Sequence, residues 1–315
     1  MNLWDLVSSG RLKEMKVGAR VLQNWLEATF YLPVLENRDA FFRQKEKIAA
    51  SLVDTKMGKL AKRVRLLPAD EAIMHNNYVI TQHWSYLNFI ASFWERFDQL
   101  SENLKINLVY QSGANFTRKK LEDCPKYNNH FVPVFQEFSS IEKLLQREVW
   151  IIDLESGDWY LLLDYSFNHK PFEKNYIIGS VYEGTIIPFP FEGSQRCIDI
   201  DLRRISKELS LQGGHTSLRD VNDKIFSLIA ENPFLERFPI MLEMRSEYRD
   251  GKWYLYDTDG QCIPIMTAES HMKFITVGSA CFFSPKVVCG IWSPAGFNPF
   301  CIIKGNRIIS AGFEQ

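Results

Sequence analysis

Two apolar runs, Val149–Leu154 and Trp159–Tyr165, flank the break Glu155-Ser156-Gly157-Asp158. Asp and Ser beside Gly supply local hydrogen bonds and tolerate positive φ, so the segment is expected to form a β-hairpin with buried strands. A fainter echo follows at Trp253–Ile265, where Asp257-Thr258-Asp259-Gly260 again separates apolar runs. The repetition constrains architecture: the second half must be built from antiparallel hairpins. It supplies no chemistry.

The first hundred residues follow a different period. Leu22, Trp25, Leu26 and Thr29 recur on one helical face, and Trp84, Leu87, Phe89, Ile90, Phe93, Trp94 and Phe97 make a thick aromatic one. About five helices are expected before Leu108, with Pro33 and Pro68 as punctuation and 54–65 as one helix weakened at Gly58. The pattern changes through the polar stretch 121–129, which places the boundary between a helical domain, 1–125, and a β-rich domain, 126–315, with one or two helices. At 315 residues two domains are the natural division.

Within the second domain, short strands are expected at 131–135, 179–190, 197–202, 239–244, 253–256, 261–265, 274–277, 286–292 and 300–310, and a short helix at 140–146. Gly305-Asn306 is a two-residue hairpin signal. Ser217, followed by Asp220 and the apolar face Val221, Ile225, Phe226, Leu228 and Ile229, marks a capped helix that Pro233 ends. The expected class is α+β, a helical N-terminal half packed with a β-rich, antiparallel hairpin-containing C-terminal half.

Composition excludes several function classes. The formal charge of −1 gives no global attraction to nucleic acid or anionic membrane, and no apolar run reaches spanning length. The first ten residues lack the basic and apolar regions of a signal peptide, so a soluble, cytoplasmic protein without a membrane partner is expected. Six scattered cysteines in a chain of this size read as free, mostly buried thiols.

Candidate chemistry is sparse. No Cys-x-x-Cys or His-x-x-x-His pair exists to hold zinc. His75 and His83 are more than two helical turns apart and have no accompanying nucleophile. Asp153, Glu155, Asp158 and Asp164 gather at the first hairpin, where turn chemistry explains them better than paired acids for glycoside hydrolysis. Gln212–Ser217 lacks the Lys of a phosphate loop and reads as a lead into a helix cap. No catalytic, cofactor-binding or metal residue, and no cofactor, is assigned; a non-enzymatic protein is expected. The sharpest functional hint is the basic run Lys56, Lys59, Lys62, Arg63 and Arg65, which could contact nucleic-acid phosphates or a partner. A solvated helix face interleaved with Leu60 and Val64 explains it without a partner and is the favoured reading, given the near-neutral total charge.

The order of segments Trp4–Leu12, Ile48–Arg65, Val149–Tyr165, Ala230–Pro239, Trp253–Ile265, Phe274–Ala280 and Gly290–Trp292 resembles the region C-terminal to the zinc finger of bacterial SWIM zinc-finger proteins. The finger itself, Cys-x-Cys followed by Cys-x-His, is absent. The resemblance implies an accessory role beside a MoxR-type AAA+ ATPase and a von Willebrand A protein, hence a scaffold or adaptor with protein partners. It carries over no catalytic residue. The alternative is a nucleic-acid-binding accessory protein using the basic helix 56–65.

Overall fold

The computed structural model describes residues 2–30, 38–67, 77–141, 144–168, 170–211, 217–265, 271–293 and 296–310. They form an α+β protein of two compact units, 1–123 and 124–315.

The first unit is helical. It contains α1 (Leu3–Leu6), α2 (Ser9–Phe30), α3 (Arg38–Asp54), α4 (Gly58–Arg65), α5 (Asn77–Glu95), α6 (Glu102–Ser112) and α7 (Arg118–Leu121). On α2 the buried residues Leu12, Met15, Ala19, Leu22, Leu26 and Thr29 recur every three or four positions, the spacing that aligns side chains in one stripe. The aromatic stretch of α5 divides: Leu87, Ile90 and Trp94 are buried, whereas Phe89 turns outward. The Trp94 indole satisfies its N–H by donating to the Ser112 hydroxyl at 2.9 Å.

The helix expected across 54–65 is two helices. α3 ends at Asp54, Lys56 takes a left-handed φ of 65°, and Gly58 opens α4. Tertiary packing forces this break. Gly113, at φ 139°, lies so close that an added Cβ would sit 2.6 Å from the Gly58 amide nitrogen. Only glycine permits both that φ and that approach.

The second unit has two six-stranded sheets. In the first, β1 (Tyr127–Ile141), β2 (Leu144–Asp153), β3 (Trp159–Phe167), β4 (Tyr182–Pro188) and β5 (Arg196–Asp199) follow the order β1-β2-β3-β5-β4, and β4 pairs back onto β1. A two-residue strand, β6 (Arg203–Arg204), lies on β4. β1 serves both neighbours by bending at Val134, where the register with β2 shifts; Pro133 sits at that bulge, where a missing amide is tolerated. β3 and β5 pair in parallel. The result is a closed five-stranded barrel with the strand order of OB-type Greek-key barrels. Its interior is filled by Phe131, Val149, Ile151, Tyr160, Leu162 and Cys197 with their neighbours.

The second sheet runs β12-β11-β10-β7-β8-β9, antiparallel throughout. Its strands are β7 (Phe238–Arg249), β8 (Lys252–Tyr256), β9 (Cys262–Pro264), β10 (Lys286–Ser293), β11 (Gly296–Lys304) and β12 (Arg307–Ser310). Ile240, Leu242 and Met244 face α8 (Leu218–Glu231) and α9 (His271–Phe282), while Met241 faces the barrel. Period-two alternation thus buries both faces of one sheet.

Two further expected elements are different in the structure. Residues 140–146 do not form a helix: Ser140 and Ile141 end β1, and Leu144, Leu145 and Gln146 begin β2, paired with Phe167, Ser166 and Tyr165. The run 274–277, expected as a strand, lies within α9, whose Val277 and Cys281, four residues apart, point into the core. No helix among the described residues is long and apolar enough to cross a membrane.

Candidate functional site

The basic run falls on α4 and the turn before it. Leu60, Ala61 and Val64 are buried, and Lys59, Lys62 and Arg63 occupy the opposite face. Three of the five cations already have partners. The Lys59 ammonium lies 3.2 Å from the centre of the Tyr110 ring, and the Arg63 guanidinium 3.8 Å from that of Tyr86, both cation–π contacts. Arg65 donates from Nε to Glu46 at 3.3 Å. Lys56 and Lys62 are exposed, with no ion pair to a described carboxylate.

Lys45, close to this run in the sequence, is not part of the surface. Its side chain is 4% exposed and its ammonium donates to the carbonyls of Arg65 and Leu67, at 3.3 and 3.0 Å. It therefore caps the C-terminus of α4, where unsatisfied carbonyls concentrate partial negative charge. Burial lowers its pKa below the usual lysine value, and Glu46 nearby opposes the shift.

The hairpin carboxylates are spread over separate structural tasks. Asp153 is buried, and its Oδ1 accepts from the amides of Glu155 and Ser156 and from the Asn129 side chain. Asp257 repeats the device: its Oδ1 accepts from the amides of Asp259 and Gln261, and its Oδ2 from Leu218, the first residue of α8. Gly157 and Gly260 take φ of 74° and 79° in the two turns. Asp164 instead accepts from the buried Arg147 at 2.6 Å. Sequence parity could have revealed Arg147, because it shares the inward alternation of Val149 and Ile151.

Among the described residues the histidines and cysteines do not converge. His75 and residues 212–216 lie outside the described residues. Ser217 accepts from the Asp220 amide at 3.2 Å, as expected of a cap. Five cysteines are buried and Cys262 is exposed. Cys289 and Cys301 face each other across β10 and β11, and their mutual hydrogen bond, with burial, raises the Cys289 thiol pKa. Among the described residues no three His, Cys, Asp or Glu side chains gather as a metal-ligand group.

A depression beside α2, lined by Lys16, Arg20, Gln23, Trp94, Glu95 and Asp98, has a volume of about 160 Å³. That falls short of the roughly 300–1,000 Å³ typical of small-molecule pockets. The outward face of β2 and β3, which OB-type barrels present to ligands, is taken up by packing: Trp150, Ile152, Trp159 and Leu161 meet Met241, Ile291, Phe300 and Ile303 of the second sheet.

The helical unit has a recognisable class. Residues 10–110 match the family model described as the SWIM-associated four-helix bundle domain, which spans α2 to most of α6. This agrees with the resemblance to the C-terminal region of SWIM proteins. No curated protein and no solved structure matches the chain.

Proposed function

We propose that this protein is a non-enzymatic adaptor that binds other proteins, as an accessory of a MoxR-type AAA+ ATPase and a von Willebrand A protein. The observation that carries this reading is the SWIM-associated domain over residues 10–110, present without the Cys-x-Cys and Cys-x-His pairs of the finger. The roles of two of the candidate acids support it: Asp153 holds a turn, and Asp164 holds a buried arginine. The direct experiment is capture from native lysate with the tagged full chain, followed by mass spectrometry and an ATPase assay on any AAA+ protein recovered. Enrichment of either partner class over a tag-only control is expected; recovery of neither removes the proposal.

A second reading, nucleic-acid binding through Lys56, Lys59, Lys62, Arg63 and Arg65, draws on charge distribution. Unit 1–123 holds 18 basic against 14 acidic residues, and unit 124–315 holds 19 against 24. The near-neutral total therefore conceals a basic helical unit. Partial commitment of Lys59, Arg63 and Arg65 to Tyr110, Tyr86 and Glu46 places this second.

A further inference from the structure

Two of the six cysteines are brought together by the second sheet. Cys289 on β10 and Cys301 on β11 are directly opposite in the antiparallel register, and their side chains hydrogen-bond to each other. Opposite residues of such strands lie about 4.5–5.5 Å apart at Cα, within the roughly 4.4–6.8 Å that a disulfide spans. Both side chains leave the sheet on the same face, in the apolar layer against the barrel, where they are 0% and 1% exposed. The other four lie elsewhere: Cys197 inside the barrel, Cys281 in α9 on the opposite face of the second sheet, Cys262 on β9 and Cys124 ahead of β1.

A buried thiol reacts only when the fold around it opens, and the two cysteines differ in what that opening requires. β10 lies between β7 and β11, so Cys289 has a long strand on each side, with Met241 as its other cross-strand neighbour. Cys301 has Ser310 on its other side, in the four-residue edge strand β12, of which Arg307, Ile309 and Ser310 are exposed. Release of β12 therefore brings Cys301 to the sheet edge while Cys289 stays enclosed. The hydrogen bond with Cys301, together with burial, holds the Cys289 thiol above the usual cysteine range, so it stays protonated at neutral pH. Cys301 is accordingly the first of the two to react.

We propose that Cys289 and Cys301 are a redox-sensitive pair, which a low-molecular-weight disulfide of the glutathione disulfide class oxidises to a cross-strand disulfide. In the first step Cys301 gives up its proton and its sulfur attacks one sulfur of the oxidant. The oxidant's S–S bond breaks, one thiol leaves with that proton, and a mixed disulfide remains on Cys301. In the second step the neighbouring Cys289 sulfur attacks the Cys301 sulfur, and the second thiol leaves with the Cys289 proton. Two protein thiols are oxidised, and one small disulfide is reduced to two thiols. The product ties β10 to β11 within the layer shared with the barrel and resists separation of those strands. It is independent of the adaptor reading.

The test exposes the reduced, folded full chain to glutathione disulfide in native buffer, alkylates the remaining thiols after unfolding and maps tryptic peptides without reduction. Both cysteines fall in the peptide Val287–Lys304. That peptide is expected to lose both alkylation sites together, to be two hydrogens lighter than the dithiol form, and to regain both sites after dithiothreitol. Cys289→Ala should trap glutathione on Cys301, and Cys301→Ala should leave Cys289 as a free thiol. The exposed Cys262 is the internal control, since it reacts without any opening of the fold. Glutathione on Cys262 while Val287–Lys304 keeps both thiols overturns the proposal, and this arm needs no variant to fold. So does a set of cross-links no different from that formed in denaturing urea, because the pairing would then owe nothing to the sheet. Glutathione on Cys289 in Cys301→Ala overturns it as well, since Cys289 would then react without its partner.

Discussion

Lys45 illustrates how little a residue's type says about its task. A lysine in a charged stretch of α3 looks solvated, yet here its ammonium is enclosed and bonded to the last carbonyls of α4. Because burial lowers its pKa in the folded protein, the unfolded chain holds more protons in the window between that lowered value and the ordinary lysine value of 10.5. Stability from this group must therefore rise as pH increases through that window. Urea unfolding of the wild type against Lys45→Met across the alkaline range is expected to show a positive pH slope that the variant lacks. Equal slopes would place the ammonium in water.

At the scale of the element, one device recurs in both hairpins: a buried aspartate at the strand end collects the turn amides. Asp257 does more than Asp153, because it also takes the first amide of α8 beside the Ser217 cap. Asp257→Ala leaves these donors without an acceptor, and a loss of roughly 2–4 kcal/mol is expected from urea unfolding. Asp257→Asn, which keeps one acceptor oxygen, should lose less, and the exposed Glu155→Ala should stay within about 0.5 kcal/mol. A cost below 1 kcal/mol for Asp257→Ala would show that water replaces the carboxylate at little penalty.

The elements that could be read from the chain are those whose determinants are local. Gly305-Asn306 turns β11 into β12, with Gly305 at φ 58°, and Ser217 caps α8 as its spacing to Asp220 indicates. The failures are equally instructive. Phe274–Val277 is a short apolar run, and such a run has no period by which helix and strand can be told apart. Ser140–Gln146 has helical composition, but pairing of Leu144 and Leu145 with Phe167 and Ser166 overrides it. The basic face was legible; the stacking of Lys59 and Arg63 on Tyr110 and Tyr86 was not, because those rings come from helices distant in sequence.

For the whole molecule, charge is the property that divides the two readings of function. Nucleic-acid binding through α4 predicts retention on heparin at low salt, with earlier elution of Lys59→Glu/Lys62→Glu/Arg63→Glu, since each lost phosphate contact reduces counterion release. A thermal melt must accompany the variant, because Lys59 and Arg63 also pack on rings. Wild-type protein that passes through at low salt removes this reading and leaves the adaptor standing.

Sequence by itself determined the turns, the caps, the helical stripe of α2 and the divide between helical and β-rich composition, because each depends on residues within a few positions of one another. Tertiary structure alone decided that the first hairpin belongs to a closed barrel. That closure joins Tyr127 to Ile186 and Leu161 to Arg196, pairs far apart in the chain whose backbone hydrogen bonds carry no side-chain signature. It also decided that Cys289 and Cys301 face each other, since the register of one strand on the next is fixed by every pair along it.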